Sequence, residues 1–260
     1  MAGRAIYRPK GLALLGLAIF LGLTLPARAA PPDLNVSPEV VEIGAFFQGQ
    51  AITVTGGIPA GAQAVVEVLG PAAPEKLMRK GRRGGLWMNV GEVEVKGAPS
   101  LYLAQSTSPS LLASAAPEAS CGYPALKRQI VFSGQIAGQE QEELLAQFLK
   151  LKESEGLYGA MSAPLQVSPA SGGASMVQGT FQLPTYVKPG AYQVCLSVID
   201  RGQVTARRCT ELKVTMVGLP ALFHSLAYEH GGLYGILAVI LAIATGLIMG
   251  FLFKERGGGH

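Results

Sequence analysis

Four basic side chains within five positions form the strongest candidate binding cluster in this 260-residue sequence. They are Arg79, Lys80, Arg82 and Arg83. A cluster of one charge attracts anions, so the ligands that fit it are anionic lipid headgroups, an acidic protein or a small oxyanion such as sulfite. The simpler alternative is a solvated hairpin loop between two strands.

Trp87 and Asn89 follow the basic cluster and complete the set of candidate binding residues. Trp87 is the only tryptophan, and it stands between Leu86 and Met88. Large amphipathic rings are usually buried, so Trp87 is expected to lie in the core or in an interface. A binding role beside the basic cluster is the alternative.

Cys195 and Cys209 are spaced to form a disulfide. Residues 200–203 (Asp-Arg-Gly-Gln) are typical of a hairpin turn, and a three-residue loop centred on Gly202 would place the two cysteines directly opposite each other. Exported proteins retain disulfides, so a structural bond is the leading interpretation and a pair of reduced thiols is the alternative. The third cysteine, Cys121, is then free, competes for a partner or links to another chain.

The remaining residues indicate no catalytic, metal or cofactor site. The first histidine is His224, and the sequence has no Gly-x-Ser-x-Gly, His-Glu-x-x-His or phosphate-loop motif. His224 and His230 are six positions apart, so they do not share a helix face; we expect interfacial residues beside Tyr228 and Tyr234. We therefore expect a protein that is not an enzyme and has no cofactor. A thiol-redox or hydrolytic enzyme is the least supported alternative.

The N-terminus has the pattern of an export signal. Arg4, Arg8 and Lys10 precede an apolar segment at 11–25, and an Ala-x-Ala site ends at residue 29. This order of charge, apolar run and small residues predicts that 1–29 is a cleaved signal peptide. An uncleaved anchor is the alternative, although about 15 apolar residues are short for a membrane span.

Residues 233–253 predict a transmembrane helix. These 21 residues hold no charged side chain and just cover the hydrocarbon core of a bilayer. The tail 254–260 begins with Lys-Glu-Arg, and a basic flank marks the cytoplasmic side. The sequence thus predicts a single-pass protein of the bacterial inner membrane, with the bulk of the chain in the periplasm and the C-terminus in the cytoplasm.

Within this span, Gly246 and Gly250 form a Gly-x-x-x-Gly motif. Small residues four apart let two helix backbones approach closely, so the motif indicates packing in a homodimer or on a polytopic membrane permease. The span contains no ionisable residue, so it provides no ion or proton pathway by itself.

The net charge of +4 does not indicate a nucleic-acid ligand. Of the 21 Lys and Arg residues, four lie in 1–29 and two in 254–260, which also holds one of the 17 acidic residues. Residues 30–253 therefore hold 15 basic and 16 acidic side chains. The excess basic charge sits at the two ends, where it orients the chain in the membrane.

Short apolar segments separated by Gly and Pro dominate the region between the two signals. This pattern predicts a mainly β fold of immunoglobulin-like β-sandwich modules with a helical insert. We assign a first β-sandwich module to 30–107, the helical insert to 108–156, a second module to 157–218 and a juxtamembrane linker helix to 219–232.

Three finer elements are predicted around the candidate binding residues. Residues 86–90 and 92–95 are expected to form two short strands separated by Gly91. Residues 123–136 are expected to be helical. Along 139–155 acidic residues precede lysines around an apolar stripe, which favours a helix that packs across the β-domain; a free partner-binding helix is the alternative.

Several segments resemble the "Putative transmembrane protein" family first described from alphaproteobacteria. The likeness covers nearly the whole mature chain, and its most specific part is the block Arg-Lys-Gly-Arg-Arg-Gly-Gly-Leu-Trp-Met-Asn at 79–89. Weaker matches lie at 69–71, 99–102, 155–158, 181–184, 189–192 and 233–235. Arg83 and Gly84 depart from the family, in which a small apolar pair is usual.

The resemblance implies a signal peptide, a periplasmic β-rich region and a C-terminal anchor, with no assigned enzymatic activity. Relatives are often encoded near a permease that resembles sulfite or organosulfonate exporters, which implies a transport-accessory role. We therefore expect a non-catalytic protein that binds a membrane transporter. The alternative is a periplasmic module that binds or senses a small anion.

Overall fold

The computed structural model describes residues 32–113, 121–134, 138–160, 164–170 and 173–254. The predicted signal peptide at 1–29 lies outside this part, as does the tail beyond residue 254. The described residues are mainly in strands, with a few helices and one long apolar helix at the C-terminal end.

The strands are β1 (Leu34–Ser37), β2 (Val40–Ile43), β3 (Gln50–Pro59), β4 (Gln63–Leu69), β5 (Glu75–Arg83), β6 (Leu86–Lys96), β7 (Tyr102–Ser106), β8 (Val131–Ser133), β9 (Tyr158–Ala160), β10 (Gln166–Ala170), β11 (Ala174–Leu183), β12 (Gly190–Asp200) and β13 (Gln203–Met216). The helices are α1 (Pro109–Ala113), α2 (Gly122–Gln129), α3 (Gly138–Ser154), α4 (Leu219–Tyr228) and α5 (Gly231–Lys254).

Two sheets contain strands from both regions that we predicted as β-modules. The first sheet has the order β1-β3-β11-β10 and the second the order β2-β13-β12-β4-β7-β9. Strands from 30–107 therefore hydrogen bond to strands from 157–218 in each sheet. The two regions build one β-domain together, and neither completes a sheet by itself.

The start of the chain contributes to both sheets. β1 pairs with β3 in antiparallel orientation, whereas β2 pairs with β13 in parallel orientation, with Val41 opposite Val214. Of these two early strands, β2 is thus hydrogen bonded to the last strand before the C-terminal helices.

The two sheets share one hydrophobic core. Ile52 and Phe181 from the first sheet and Leu196 and Leu212 from the second are at most 2% exposed. Contact between the sheets is close, because a Cβ atom on Gly56 would lie 2.5 Å from the Leu196 side chain. Buried side chains alternate with more exposed ones along β3 and β11, because one face of each strand packs in this core.

The β12–β13 hairpin places Cys195 opposite Cys209, and the two are joined by a disulfide. The turn differs from the predicted three-residue loop. Arg201 and Gly202 form a two-residue turn with φ angles of 50° and 81°, typical of type I′. A bulge between Val198 and Ile199 then shifts the register by one residue. The two-residue turn with this bulge therefore places Cys195 opposite Cys209, as the predicted three-residue loop would have done.

A third sheet, β5-β6-β8, is built around a long hairpin inserted between β4 and β7. The prediction of two strands at 86–90 and 92–95 was wrong: β6 is continuous through Gly91, which pairs with Arg79. The helix predicted at 123–136 was too long, since α2 ends at Gln129 and β8 follows, with Phe132 paired to Val95.

Helix α3 closely matches the prediction for 139–155. It ends at Gly156, which has a φ of +70°, and two backbone bonds close the end: Gly156 N–H to Glu153 O and Leu157 N–H to Lys152 O. This pair of bonds is a Schellman motif, in which glycine adopts the left-handed conformation without a steric penalty.

The chain leaves the β-domain through α4 and α5. Residues Gly231–Phe253 of α5 form a helix long and apolar enough to cross a membrane, and their side chains are not buried against other described residues. This matches the span predicted at 233–253. The linker predicted at 219–232 contains α4, whose Leu222 and Phe223 are exposed.

Candidate functional site

All six predicted binding residues lie on the β5–β6 hairpin. Lys80 is paired with Asn89 and Arg82 with Trp87, and the two strands meet at a turn formed by Gly84 and Gly85. These glycines have φ angles of 60° and 86°, which a type I′ turn requires at both positions. The hairpin brings the basic residues and the tryptophan together at its tip.

The local conformation differs from both sequence-based expectations for this segment. The basic residues Arg79–Arg83 are part of β5 and not of a loop. Trp87 does not lie in the core of the described chain, because this side chain is 74% exposed; its burial in an interface stays a prediction. Leu86 at 68% and Met88 at 46% are exposed on either side of it. The tip therefore combines cationic and apolar groups that face solvent.

Ion pairs neutralise the cations at the base of the hairpin. The cations at its tip have no ion-pair partner among the described residues. Arg79 Nη1 lies 3.1 Å from Glu140 Oε2 of α3, and Lys76 Nζ lies 2.8 Å from Glu92 Oε1. Further towards the tip, Lys80, Arg82 and Arg83 form no ion pair with any described residue. Positive charge thus increases along the hairpin towards Gly84.

A groove of about 420 Å³ lies between the hairpin and α3. Its lining is mainly apolar and comes from β5, β6, β8 and α3: Leu77, Met78, Arg79, Lys80, Trp87, Val93, Phe132, Leu144, Gln147, Phe148 and Leu151. Volumes of this size and walls of this kind are typical of binding sites. Met78 at 58% and Leu151 at 43% exposure form its open side.

Helix α3 is fixed over the hairpin by one buried cation. Lys152 Nζ lies 2.7 Å from Glu75 Oε2 and 5.5 Å from the centre of the Phe148 ring. The Phe148 ring in turn packs edge-on against Phe132 of β8, with ring centres 6.4 Å apart. These contacts set the width of the groove.

A second hollow, of about 300 Å³, lies on the same side of the hairpin and does not favour a small anion. Arg79 and Lys80 line it, but so do Glu140 and Glu143. Because two carboxylates balance two cations, the hollow offers no net positive potential. The geometry therefore gives more support to an apolar ligand or partner than to an oxyanion.

A buried carboxylate forms the centre of a second cluster, which sequence reasoning missed. Glu67 is 3% exposed; its Oε1 accepts hydrogen bonds from Tyr102 O–H at 2.7 Å and from Gly122 N–H at 3.0 Å. Its Oε2 lies 3.4 Å from Arg207 Nη2. The signal was present, since Glu67 interrupts the apolar strand Ala-Val-Val-Glu-Val-Leu. A charge in such a strand must be paired.

This cluster lies beside the disulfide and includes the third cysteine. Glu67 is the strand partner of Cys195. Cys121 is buried and takes no part in a disulfide. Burial, and next to it the negative charge of Glu67, raises the pKa of the Cys121 thiol. A thiol held in its protonated form is a poor nucleophile, which argues against thiol-redox chemistry here.

The two described histidines, His224 and His230, belong to neither cluster. The His224 ring contacts the Tyr228 ring on α4, with centres 4.6 Å apart, and His230 precedes α5. Among the described residues, no group of three or more His, Cys, Asp and Glu side chains is arranged to hold a metal ion.

The glycines of the span are open on α5. A Cβ atom on Gly246 or Gly250 would meet no other atom within 4 Å apart from neighbouring residues of the helix itself. The surface that the Gly-x-x-x-Gly motif needs for helix packing is therefore accessible along this helix.

Comparison with known proteins gives one family. A family model described as "Putative transmembrane protein (Alph_Pro_TM)" matches residues 33–255, which include the whole β-domain and the long apolar helix. Among curated proteins, none matches this chain.

Proposed function

We propose that this chain, which belongs to the Alph_Pro_TM family of transmembrane proteins, is a non-catalytic binding protein that serves as an accessory of a membrane transporter. The family match covers most of the chain, and α5 is one candidate membrane span. The two parts have separate roles: α5 holds the protein in the bilayer, and the β-domain binds the partner.

The observation that carries this proposal is the open apolar groove between the hairpin and α3. Met78 and Leu151 expose apolar surface along it, and Phe132 and Phe148 line its interior. Exposed apolar surface in a continuous groove is typical of a protein interface. A partner segment that fills the groove would cover these side chains and meet polar groups at the rim, such as Gln147.

The membrane helix supports a partner in the same bilayer. Its side chains make no buried contact with the described β-domain, and Gly246 and Gly250 leave one face open for a second helix. A polytopic permease offers such a helix, and so does a second copy of this chain. The resemblance described above, with its neighbouring permease, favours the first.

The orientation follows from the two charged ends of the sequence. A signal peptide at 1–29 would export the chain, and the Lys-Glu-Arg tail after residue 253 would remain in the cytoplasm of a bacterium. The β-domain would then lie in the periplasm, next to the outer face of the inner membrane. In that compartment the Cys195–Cys209 disulfide is stable.

The β-domain is, we infer, an immunoglobulin-like sandwich. The order of neighbouring strands β1-β3-β11-β10 corresponds to the A-B-E-D sheet of immunoglobulin domains. The order β13-β12-β4-β7 corresponds to the strands G-F-C-C′ of variable-type domains. Tyr192 at the start of β12 donates its hydroxyl hydrogen to Lys188 O at 2.7 Å, which is the bond of a tyrosine corner. Such domains usually act as binding modules.

Site-specific photocrosslinking tests the proposal. A photoreactive amino acid replaces Leu151 in the groove, and in a control chain it replaces Val167 on β10, which is 51% exposed and remote in the sheet order. In native membranes we expect position 151 to form an adduct with a multi-span membrane protein and position 167 to form none. Equal labelling at both positions, or none at 151, would contradict the proposal.

Two variants test the groove and the span separately. A second photoreactive chain carries the crosslinker in place of Met78, which lines the same groove. We expect Leu151→Asp to abolish the adduct formed from position 78, because a carboxylate cannot be buried in an apolar contact without a partner. The double variant Gly246→Leu with Gly250→Leu tests packing of α5. If α5 packs on a helix of the permease, the variant reduces co-purification of the permease. If α5 packs on a second copy of itself, the variant reduces only self-association.

A further inference from the structure

We propose that the tip of the β5–β6 hairpin is a membrane-surface contact that binds an anionic lipid bilayer. The tip consists of Lys80, Arg82, Arg83, Leu86, Trp87 and Met88, closed by the Gly84-Gly85 turn. Lys80 and Trp87 also line the groove against α3, whereas Arg82, Arg83, Leu86 and Met88 lie outside its lining, so the tip continues from the end of the groove. The proposal goes beyond partner binding, since its ligand is the lipid headgroup region itself.

The apolar part of the tip has no cover among the described residues. Leu86, Trp87 and Met88 are 68%, 74% and 46% exposed, although consecutive large apolar residues are normally buried. Gly84 and Gly85 carry no side chains that could shield them from a surface. Tryptophan concentrates at membrane–water interfaces, where its ring is in an apolar layer and its N–H remains hydrogen bonded.

The charged part of the tip has no counterion among the residues that the structure describes. Arg79, nearer to α3, is neutralised by Glu140. Lys80, Arg82 and Arg83, nearer to the turn, form no ion pair within the described chain. Anionic headgroups supply negative charge at the depth where a tryptophan ring is placed, and the long basic side chains can reach them while their stems remain apolar.

The bilayer is the occupant that the membrane helix keeps close to the β-domain. The protein belongs to a transmembrane family, and its α5 holds the β-domain at a membrane surface, so lipid is present at high effective concentration. An acidic protein would also satisfy the three cations. It has no comparable reason to contact the exposed apolar side chains of Leu86, Trp87 and Met88, which alternate between the two faces of β6.

The sole tryptophan makes the test direct, because every change in tryptophan emission reports on residue 87. The full chain is reconstituted into vesicles of phosphatidylcholine alone or of phosphatidylcholine with phosphatidylglycerol, each with or without brominated acyl chains. We expect a shift to shorter wavelength and quenching by the brominated chains in the anionic vesicles, and a smaller shift with less quenching in the neutral ones.

Matched charge variants identify the residues that bind. Arg82→Gln with Arg83→Gln should return the emission in anionic vesicles to the value seen in neutral ones. Arg201→Gln with Arg208→Gln removes the same charge from the exposed β12–β13 hairpin and should leave the emission unchanged. Circular dichroism of each variant shows that the fold is retained.

Two results would overturn the inference. The first is an emission maximum typical of exposed tryptophan, without quenching, in both kinds of vesicle. The second is an emission shift in anionic vesicles that is unchanged in the variant Arg82→Gln with Arg83→Gln, since that result excludes a charge contact between the tip and the lipid. Neither result changes the crosslinking at position 151, so failure of the lipid contact is distinguishable from failure of the proposed function.

Discussion

At the scale of single residues, Glu67 is a buried carboxylate that is held by contacts from three separate elements. It is buried with three donors around one carboxylate: Tyr102 O–H, Gly122 N–H and the Arg207 guanidinium. These donors come from β7, from the start of α2 and from β13. One carboxylate therefore ties the insert to the sheet that carries the disulfide.

Replacement of this carboxylate should destabilise the fold. We expect Glu67→Leu to lower the free energy of unfolding by about 2–5 kcal/mol, because the hydroxyl of Tyr102 and the amide of Gly122 would be buried without acceptors. Glu67→Gln keeps an acceptor oxygen and should cost less. Urea unfolding of the full chain in detergent, followed by circular dichroism, measures both; an equal loss in the two variants would contradict this account.

The disulfide was predictable from the sequence and the carboxylate network was not. Alternation and turn residues sufficed to place Cys195 opposite Cys209, even though the turn has two residues and a bulge where a three-residue loop was predicted. Glu67 needs partners that are 35, 55 and 140 positions away. Such distant contacts leave no periodic signal in the sequence.

At the scale of elements, helix α3 is held on the hairpin sheet by its buried lysine. Lys152 is 6% exposed and reaches Glu75 of β5, which Lys188 also approaches at 3.6 Å. At the other end of the helix, Arg79 contacts Glu140 at an exposed position. The two ion pairs are unequal, since an exposed pair contributes little to stability.

Lys152→Met tests this anchor. Methionine preserves the packing over Phe148 but removes the charge beside Glu75, so we expect a loss of about 1–3 kcal/mol, below the value for a fully buried pair because water reaches Glu75. Hydrogen exchange should become faster along α3. The control is Lys150→Met, an exposed change on the same helix, which should have almost no effect. Comparable exchange in the two variants would exclude an anchoring role.

The helix was predictable and its neighbour was not. The order of acidic residues before lysines, with a glycine at the end, predicted the bounds of α3 to within one residue. The strand β5 escaped prediction because its sequence, Glu-Lys-Leu-Met-Arg-Lys-Gly-Arg-Arg, has the polar composition of a loop. It is a strand because it pairs with β6, and its charged side chains are tolerated because the hairpin extends into solvent.

At the scale of the whole molecule, three buried tyrosines make stability depend on pH. Burial raises the pKa of Tyr102, of Tyr158 and of Tyr192; for Tyr102 the charge of Glu67 adds to this effect. In the unfolded chain a tyrosine ionises near pH 10. Above that pH the folded state therefore holds more protons than the unfolded state, and its stability falls as the pH rises.

We expect the free energy of unfolding to be constant with respect to these groups below about pH 10 and to fall above it, by up to about 1.4 kcal/mol per pH unit for each tyrosine. Urea unfolding between pH 8 and about pH 11 measures the slope. Tyr158→Phe should make it shallower. Tyr186→Phe should not, because Tyr186 is 77% exposed. A slope that is identical in the two variants would refute the assignment.

The pairing of β2 with β13 has a consequence for biosynthesis. Residues Val40–Ile43 leave the ribosome early, but their partner in the second sheet, Lys213–Met216, is made about 170 residues later. Only residues 217–230 separate that partner from the start of α5. The last hydrogen bonds of the β-domain therefore cannot form before synthesis is close to the membrane helix, and until then the edge of β2 that pairs with β13 is open.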